Sequence, residues 1–226
     1  MTMAQALAHP FSLADTLLWS TILHQSRREW QTAQAHAEAL LALATEQGFA
    51  FYVTRGAFYR GTALAAQGLG EEGLAQMCQA LATLREAGIE LAMSFYLTHL
   101  AEAYGRVGQI GQGLHLLAEA RALVDKTGER YHAAEVYRLH GELLLLQPVP
   151  DVQAAEACFL HALATARRQG AKSLELRAVM RVSRLWHSQG KRAEARQLLA
   201  EIYDWFTEGF DTADLQEAKG LLDQYT

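Results

Sequence analysis

Residues 68–73, Gly68-Leu69-Gly70-Glu71-Glu72-Gly73, spell G-x-G-x-x-G. This is the spacing with which a glycine-rich turn admits a dinucleotide pyrophosphate to the N-terminus of a helix. That chemistry needs strand, tight turn and helix in this order. Here Ala63-Leu64-Ala65-Ala66-Gln67 precedes the turn and has helical composition. The segment also recurs in register as 108–113 and 190–195. It therefore reads as a hairpin turn, and no cofactor is expected. Nine histidines invite a search for metal, and close His–acid spacings occur, among them His36 with Glu38 and His132 with Glu135. No His-Glu-x2-His run or Cys-x2-Cys pair completes a zinc site, so no metal is expected. Cys78 and Cys158 lie in apolar helical patterns away from basic clusters, and no Gly-x-Ser-x-Gly elbow occurs. Gly190-Lys191 is followed by Arg192 and lacks the upstream glycine of a P-loop. No catalytic constellation emerges, and the chain is read as a non-enzyme.

The elements that must carry these residues are helices. Proline is scarce, at three residues in 226, and alanine and leucine abound. Alanine loses no side-chain entropy in a helix, whereas proline interrupts its hydrogen-bond ladder. Sustained apolar–polar alternation, the mark of half-buried strands, is missing. The net charge of −5 argues against nucleic acid as a partner of the whole chain. Two cysteines are too few for a disulfide framework and fit a reducing cytosol. The N-terminus has no signal-peptide pattern, and the longest run of leucines, Leu143 to Leu146, is far too short to span a bilayer. A cytoplasmic protein that does not engage membranes is expected.

The chain repeats itself. Gly48, Gly88, Gly128, Gly170 and Gly209 close apolar helical segments at spacings of 40, 40, 42 and 39. A second series, Gly68, Gly108 and Gly190, lies half a period away, and Gln147-Pro148-Val149-Pro150-Asp151 fills its vacant slot. Side chains keep the same register. Aligned on the second series, small residues recur at Thr21, Gly61, Ala101, Gly141 and Ser183, and again at Ala33, Gly73, Gly113, Ala155 and Ala195. Large ones follow at Met77, Leu117, Phe159 and Leu199. Small residues suit places where helices approach closely, and large ones fill the gaps.

This pattern resembles the tetratricopeptide (TPR) repeat, with a longer period than the usual ~34 residues. The expected fold is all-α: a right-handed superhelical solenoid of about five antiparallel helix pairs with a C-terminal capping helix. The pairs are placed at 12–27 with 30–47, 50–67 with 71–87, 90–107 with 111–126, 130–147 with 151–169, and 172–189 with 192–207. The repeats span 12–47, 50–87, 90–126, 130–169 and 172–207 of one domain, 1–226. Asp211 is placed as the cap of the last helix (211–225), with Leu215, Ala218, Leu222 and Tyr225 as its apolar stripe.

In a TPR register the first helix of each pair lines the concave surface. The residues expected there are Leu18 and Ile22, Arg55 and Phe58, and Phe95, Thr98 and Glu102. Further along come Glu135, Arg138 and Glu142, and then Arg177, Met180, Arg184 and His187. Mixed charge with aromatic residues suits recognition of a protein or peptide.

Charge is segregated near the C-terminus. Between Arg167 and Arg196 there are nine basic residues and two acidic ones, Glu175 and Glu194; from Glu201 onwards seven acidic residues face Lys219 alone. Arg177, Arg181 and Arg184 share one helix face at i, i+4 and i+7. Two readings fit: the arginines are solvated or paired with the neighbouring helix or tail, or they form a docking stripe for an acidic partner.

One resemblance is more specific. The run from Ala155 to Asp223 (AEACFLHALATARRQGAKSLELRAVMRVSRLWHSQGKRAEARQLLAEIYDWFTEGFDTADLQEAKGLLD) looks like the C-terminal end of large bacterial regulatory ATPases of the STAND type. Many of those carry an adenylate/guanylate cyclase domain. ALAHPFSLA, AEALLALATEQGF, AEAYGRVGQ and LVDKTGER are similar to the preceding part of the same helical region. The resemblance implies a TPR-like sensor or partner-binding array whose chemistry resides in upstream modules, and it carries over no catalytic residue. The partners expected are a protein or peptide, upstream domains of a longer chain, or a second copy in a homodimer. A groove that binds a small-molecule effector is the alternative; it would require a deep, mostly apolar pocket with a few converging polar groups.

Overall fold

The breakers determine the architecture. In a computed structural model, which describes residues 9–225, all eight glycines of the two series have positive φ, between +64° and +93°. Residues 1–8 and 226 of the expected domain lie outside the described residues. Seven of the eight stand just beyond the end of a helix; Gly209 lies six residues past Tyr203, where its helix ends. At Gly68, for example, the following residue closes the turn by donating from Leu69 N–H to the Leu64 carbonyl at 3.0 Å. This is the six-to-one bond of a Schellman ending, which needs a left-handed residue in the penultimate position. Besides the proline-containing slot at 147–151, the slot 40 residues before Gly68 also carries no glycine: Arg28 takes the left-handed conformation itself, and Glu29 N–H bonds the His24 carbonyl at 2.8 Å.

Eleven helices result among the described residues, with no strand. They are α1 (Pro10–Ser26), α2 (Trp30–Glu46), α3 (Ala50–Ala66), α4 (Gly70–Glu86), α5 (Met93–Arg106), α6 (Ile110–Thr127), α7 (Ala133–Leu145), α8 (Val152–Gln169), α9 (Lys172–Ser188), α10 (Arg192–Tyr203) and α11 (Ala213–Gln224). The chain divides into two compact units, one ending at Gln109 and the other beginning at Ile110. The division falls between the helices of the third expected pair.

In the first unit α1 with α2 and α3 with α4 form antiparallel hairpins, and α1, α3 and α5 lie side by side as one layer. The hairpin α3–α4 closes on glycine. A Cβ placed on Gly61 would meet the Gly73 carbonyl oxygen at 2.7 Å, and one on Gly73 would meet Ala65 N at 2.7 Å. Tyr59, Phe58 and Tyr96 fill the space between α3 and α5, with the Phe58 and Tyr96 rings 4.9 Å apart and edge to face.

In the second unit α7 pairs with α8 and α9 with α10, while α7, α9 and α11 follow one another in a layer. Gly141 admits the Phe159 ring, as an added Cβ would meet ring carbons at 2.5 and 2.8 Å. Leu176, Val179, Leu199 and Ile202 of α9 and α10 share a core with Leu215, Ala218 and Leu221 of α11.

Several boundaries differ from those read off the glycine spacing. Helices α5 and α7 start at Met93 and Ala133, three residues late, because 91–92 and 131–132 make an additional turn; Ala92 is left-handed there. Helix α10 stops at Tyr203 rather than 207. Helix α11 starts at Ala213 with Thr212 at its cap position, so Asp211 is not the cap. Its buried stripe runs Leu215, Ala218, Leu221 and Tyr225, and Leu222 is only half-buried.

Candidate functional site

The layer α1–α3–α5 presents one arginine in aromatic surroundings. The Arg55 guanidinium carbon lies 5.1 Å from the centre of the Phe51 ring and 6.0 Å from that of Tyr59. Burial alone would lower its pKa, but the Tyr59 and Tyr96 hydroxyl groups outweigh this and hold the cation above its usual range. Burial raises the Tyr96 phenol, with Arg55 opposing. Among the described residues no carboxylate pairs with Arg55, and its Nε–H is buried without an acceptor. Phe51, one turn earlier, stays substantially exposed at 42%. Its i, i+4 relation to Arg55 is available in the sequence, though Phe51 is not among the residues expected at the site.

The other residues expected on this layer separate by depth. Leu18, Phe58, Phe95 and Thr98 are buried, which corrects their placement on a partner-facing surface. Phe58 and Phe95 pack into the ring cluster, and the Thr98 hydroxyl donates to the Ser94 carbonyl at 2.6 Å. Ile22 is half-buried, and Glu102 accepts from Arg106 Nη2 at 2.8 Å.

In the second unit the expected residues assemble into a chain of alternating charge across three helices. Arg138 grips Glu135 with two bonds, Nε–H to Oε1 and Nη2–H to Oε2, both 2.9 Å, and also donates to Glu142. From α9, Arg177 lies 3.7 Å from Glu135 and donates from Nε to Asp214 of α11 at 2.6 Å. Arg181 pairs with Glu142 and stands 3.9 Å from Glu217, and Arg184 donates to Glu217 at 2.7 Å. Eight side chains thus link Asp214, Arg177, Glu135, Arg138, Glu142, Arg181, Glu217 and Arg184, four acids with four arginines. The arginine face is paired with α7 and the tail rather than standing open.

Its electrostatics follow from depth. Burial alone would raise Glu135, but Arg138 and Arg177 hold its carboxyl far below the usual range. Burial would lower Arg177, and Glu135 and Asp214 keep it raised. Arg181 ends below its ordinary value because burial, with Arg138 and Arg184 nearby, exceeds the support of Glu142 and Glu217. Met180 is buried in the core and leaves the surface; His187 stacks on Tyr225 with ring centres 4.4 Å apart. Asp214 and Glu217 are not among the expected site residues, although the acidic tail that holds them is plain in the sequence. Among the described residues no three His, Cys, Asp or Glu side chains converge to hold a metal, and no helix is long and apolar enough to cross a membrane.

The G-x-G-x-x-G segment is used structurally. Gly68 turns the chain, Gly70 opens α4 beside Val107, and Gly73 meets Gly61.

No family model matches the chain, and no curated protein matches it. Solved structures do. The TPR-like repeats of a Podosopora anserina kinesin light chain-like protein match with a TM-score of 0.58 at 19% identity, over 86% of this chain and 95% of that one. A singly substituted form of the same repeats matches at 0.59 and 19%, over 86% and 94%. The fold is TPR-like. Its hairpins, small-residue contacts and left-handed turns belong to that architecture, at a sequence identity too low to carry function.

Proposed function

We propose that the chain is a non-catalytic TPR-like scaffold or sensor region that docks a polypeptide on the α1–α3–α5 layer. The observation that carries this reading is Arg55: a cation without a carboxylate partner among the described residues, flanked by the exposed Phe51 ring, with one buried N–H left unbonded. A half-buried guanidinium of this kind gains most from an incoming carboxylate, since charge-assisted bonds are stronger away from bulk water. An aromatic neighbour suits an apolar side chain next to that acid. The partner is accordingly an acidic peptide segment with an adjacent apolar residue.

The resemblance to regulatory ATPases supplies the wider proposal, a sensor array in a bacterial signalling system whose ATPase and cyclase modules lie elsewhere. Binding would act by favouring one arrangement of those modules over another. A peptide array that varies acidic and apolar positions, probed with labelled protein, tests the docking reading. Acidic spots should retain the wild type and lose the Arg55→Gln variant. Equal retention of both, or no preference for acidic spots, would sink it.

A further inference from the structure

The basic run 167–196 and the acidic tail have a joint consequence beyond stability. Helix α11 lies on α9 with two of its three carboxylates, Asp214 and Glu217, at i and i+3 against Arg177, Arg181 and Arg184. Its apolar residues at i+1, i+4 and i+7 (Leu215, Ala218 and Leu221) sink into the core beside Leu176 and Val179. A connection, residues 204–212, joins α11 to α10 and leaves Trp205 and Phe210 exposed.

The fit is incomplete in one place. Arg184 Nη1 and the Tyr225 hydroxyl are both buried, and neither has a hydrogen-bond partner. Two donors withdrawn from water without acceptors destabilise the contact that buries them. Tyr225 is itself nine-tenths buried, and its phenol is raised by burial with Arg184 opposing. Helix α11 thus satisfies the arginine face in charge and shape while remaining an acceptor short at its C-terminal end.

We infer that the α9 face is a helix-binding site and that α11 is its intramolecular occupant. The external partner that fits is an acidic amphipathic helix with carboxylates at i and i+3 and apolar residues at i+1, i+4 and i+7. Such a helix gains over α11 if it also supplies an acceptor to Arg184. Charge complementarity decides the class of partner: the face is arginine on α9, and the helix that covers it carries acid. The inference rests on the docking role proposed above, but it uses a different unit and different residues.

A synthetic fluorescent peptide spanning residues 211–225 serves as the probe, titrated into the full chain and followed by polarisation. In the Asp214→Asn/Glu217→Gln protein the attached helix loses its ion pairs while the α9 arginines stay in place. That protein should bind the peptide about tenfold more tightly than the wild type, a change in the range of two half-buried ion pairs. A peptide carrying the same two substitutions should bind neither protein. The single Glu217→Gln variant, checked by helicity and a cooperative melt, gives a smaller shift in the same direction if the double variant does not fold. Equal peptide affinity for wild type and a folded variant, or none for either, would overturn the inference. Arg55→Gln should leave this titration unchanged while abolishing retention on the acidic peptide array, so failure of one reading is distinguishable from failure of the other.

Discussion

Glu135 shows how much one side chain can hold in this molecule. It is buried, and two arginines from different helices converge on it. Replacing it by alanine takes from Arg138 and Arg177 the buried carboxylate they share, and removing one partner of a buried pair costs about 3 kcal/mol. Urea unfolding should show the midpoint fall with an unchanged slope. The pH dependence has a definite sign. The folded carboxyl is depressed, so its contribution is complete above the unfolded value of about 4.3 and is lost as the pH falls through the folded one. The stability gap between wild type and Glu135→Gln should therefore narrow as acid is added below about pH 4. A gap that stays constant down to about pH 2.5 would mean that the arginines do not depress this carboxyl. Gly68 makes a different point. Nothing lies within 4 Å of where its Cβ would be, yet its φ is +93°, so Gly68→Ala should cost about 1 kcal/mol through the backbone alone. A neutral melt would show that the turn relaxes to another conformation.

At the scale of the element, the cost of a substitution is set by what the facing helix presents. Gly141 has an ordinary helical backbone, but Phe159 and the Ala155 carbonyl occupy the volume a side chain would need. Gly141→Leu should overfill the α7–α8 contact and cost about 1–3 kcal/mol, read as a lowered melting temperature. This pairing of small residues was legible because an offset of 12 residues, or 14 across the Pro148–Pro150 turn, recurs whatever fills it: Thr21 with Ala33, Gly61 with Gly73, Gly141 with Ala155, Ser183 with Ala195, all buried. The partner-facing residues were less legible. Phe58 and Phe95 occupy positions on first helices that spacing assigns to the groove, but the neighbouring first helix covers them. Helical periodicity specifies an azimuth, and the width of the buried stripe depends on how closely the next helix lies, which no single sequence states. The late starts of α5 and α7 were hidden for a related reason. Ala92 adopts a left-handed conformation that alanine composition disfavours, and the turn is set by packing rather than by a glycine.

For the whole chain, the arrangement of contacts sets how far a perturbation travels. Each unit has its own core, and within a unit each helix packs on its immediate neighbours in sequence and in its layer. Stability in such arrays is close to a sum of local terms and nearest-neighbour interfaces. Gly141→Leu acts on α7 and α8; its reach should include α9, which packs on both. Hydrogen exchange measured by mass spectrometry should accordingly show faster exchange across residues 133–188 and unchanged protection in α3 and α4. The same experiment on Glu135→Ala should extend the loosened region to α11, because Asp214 is held by the arginine that Glu135 anchors. Uniform loss of protection from α1 to α11 in either variant would show a single cooperative structure. A response confined to the second unit would let the arginine face be altered while the Arg55 face keeps its form, which is the condition under which two docking surfaces on one chain can be addressed separately.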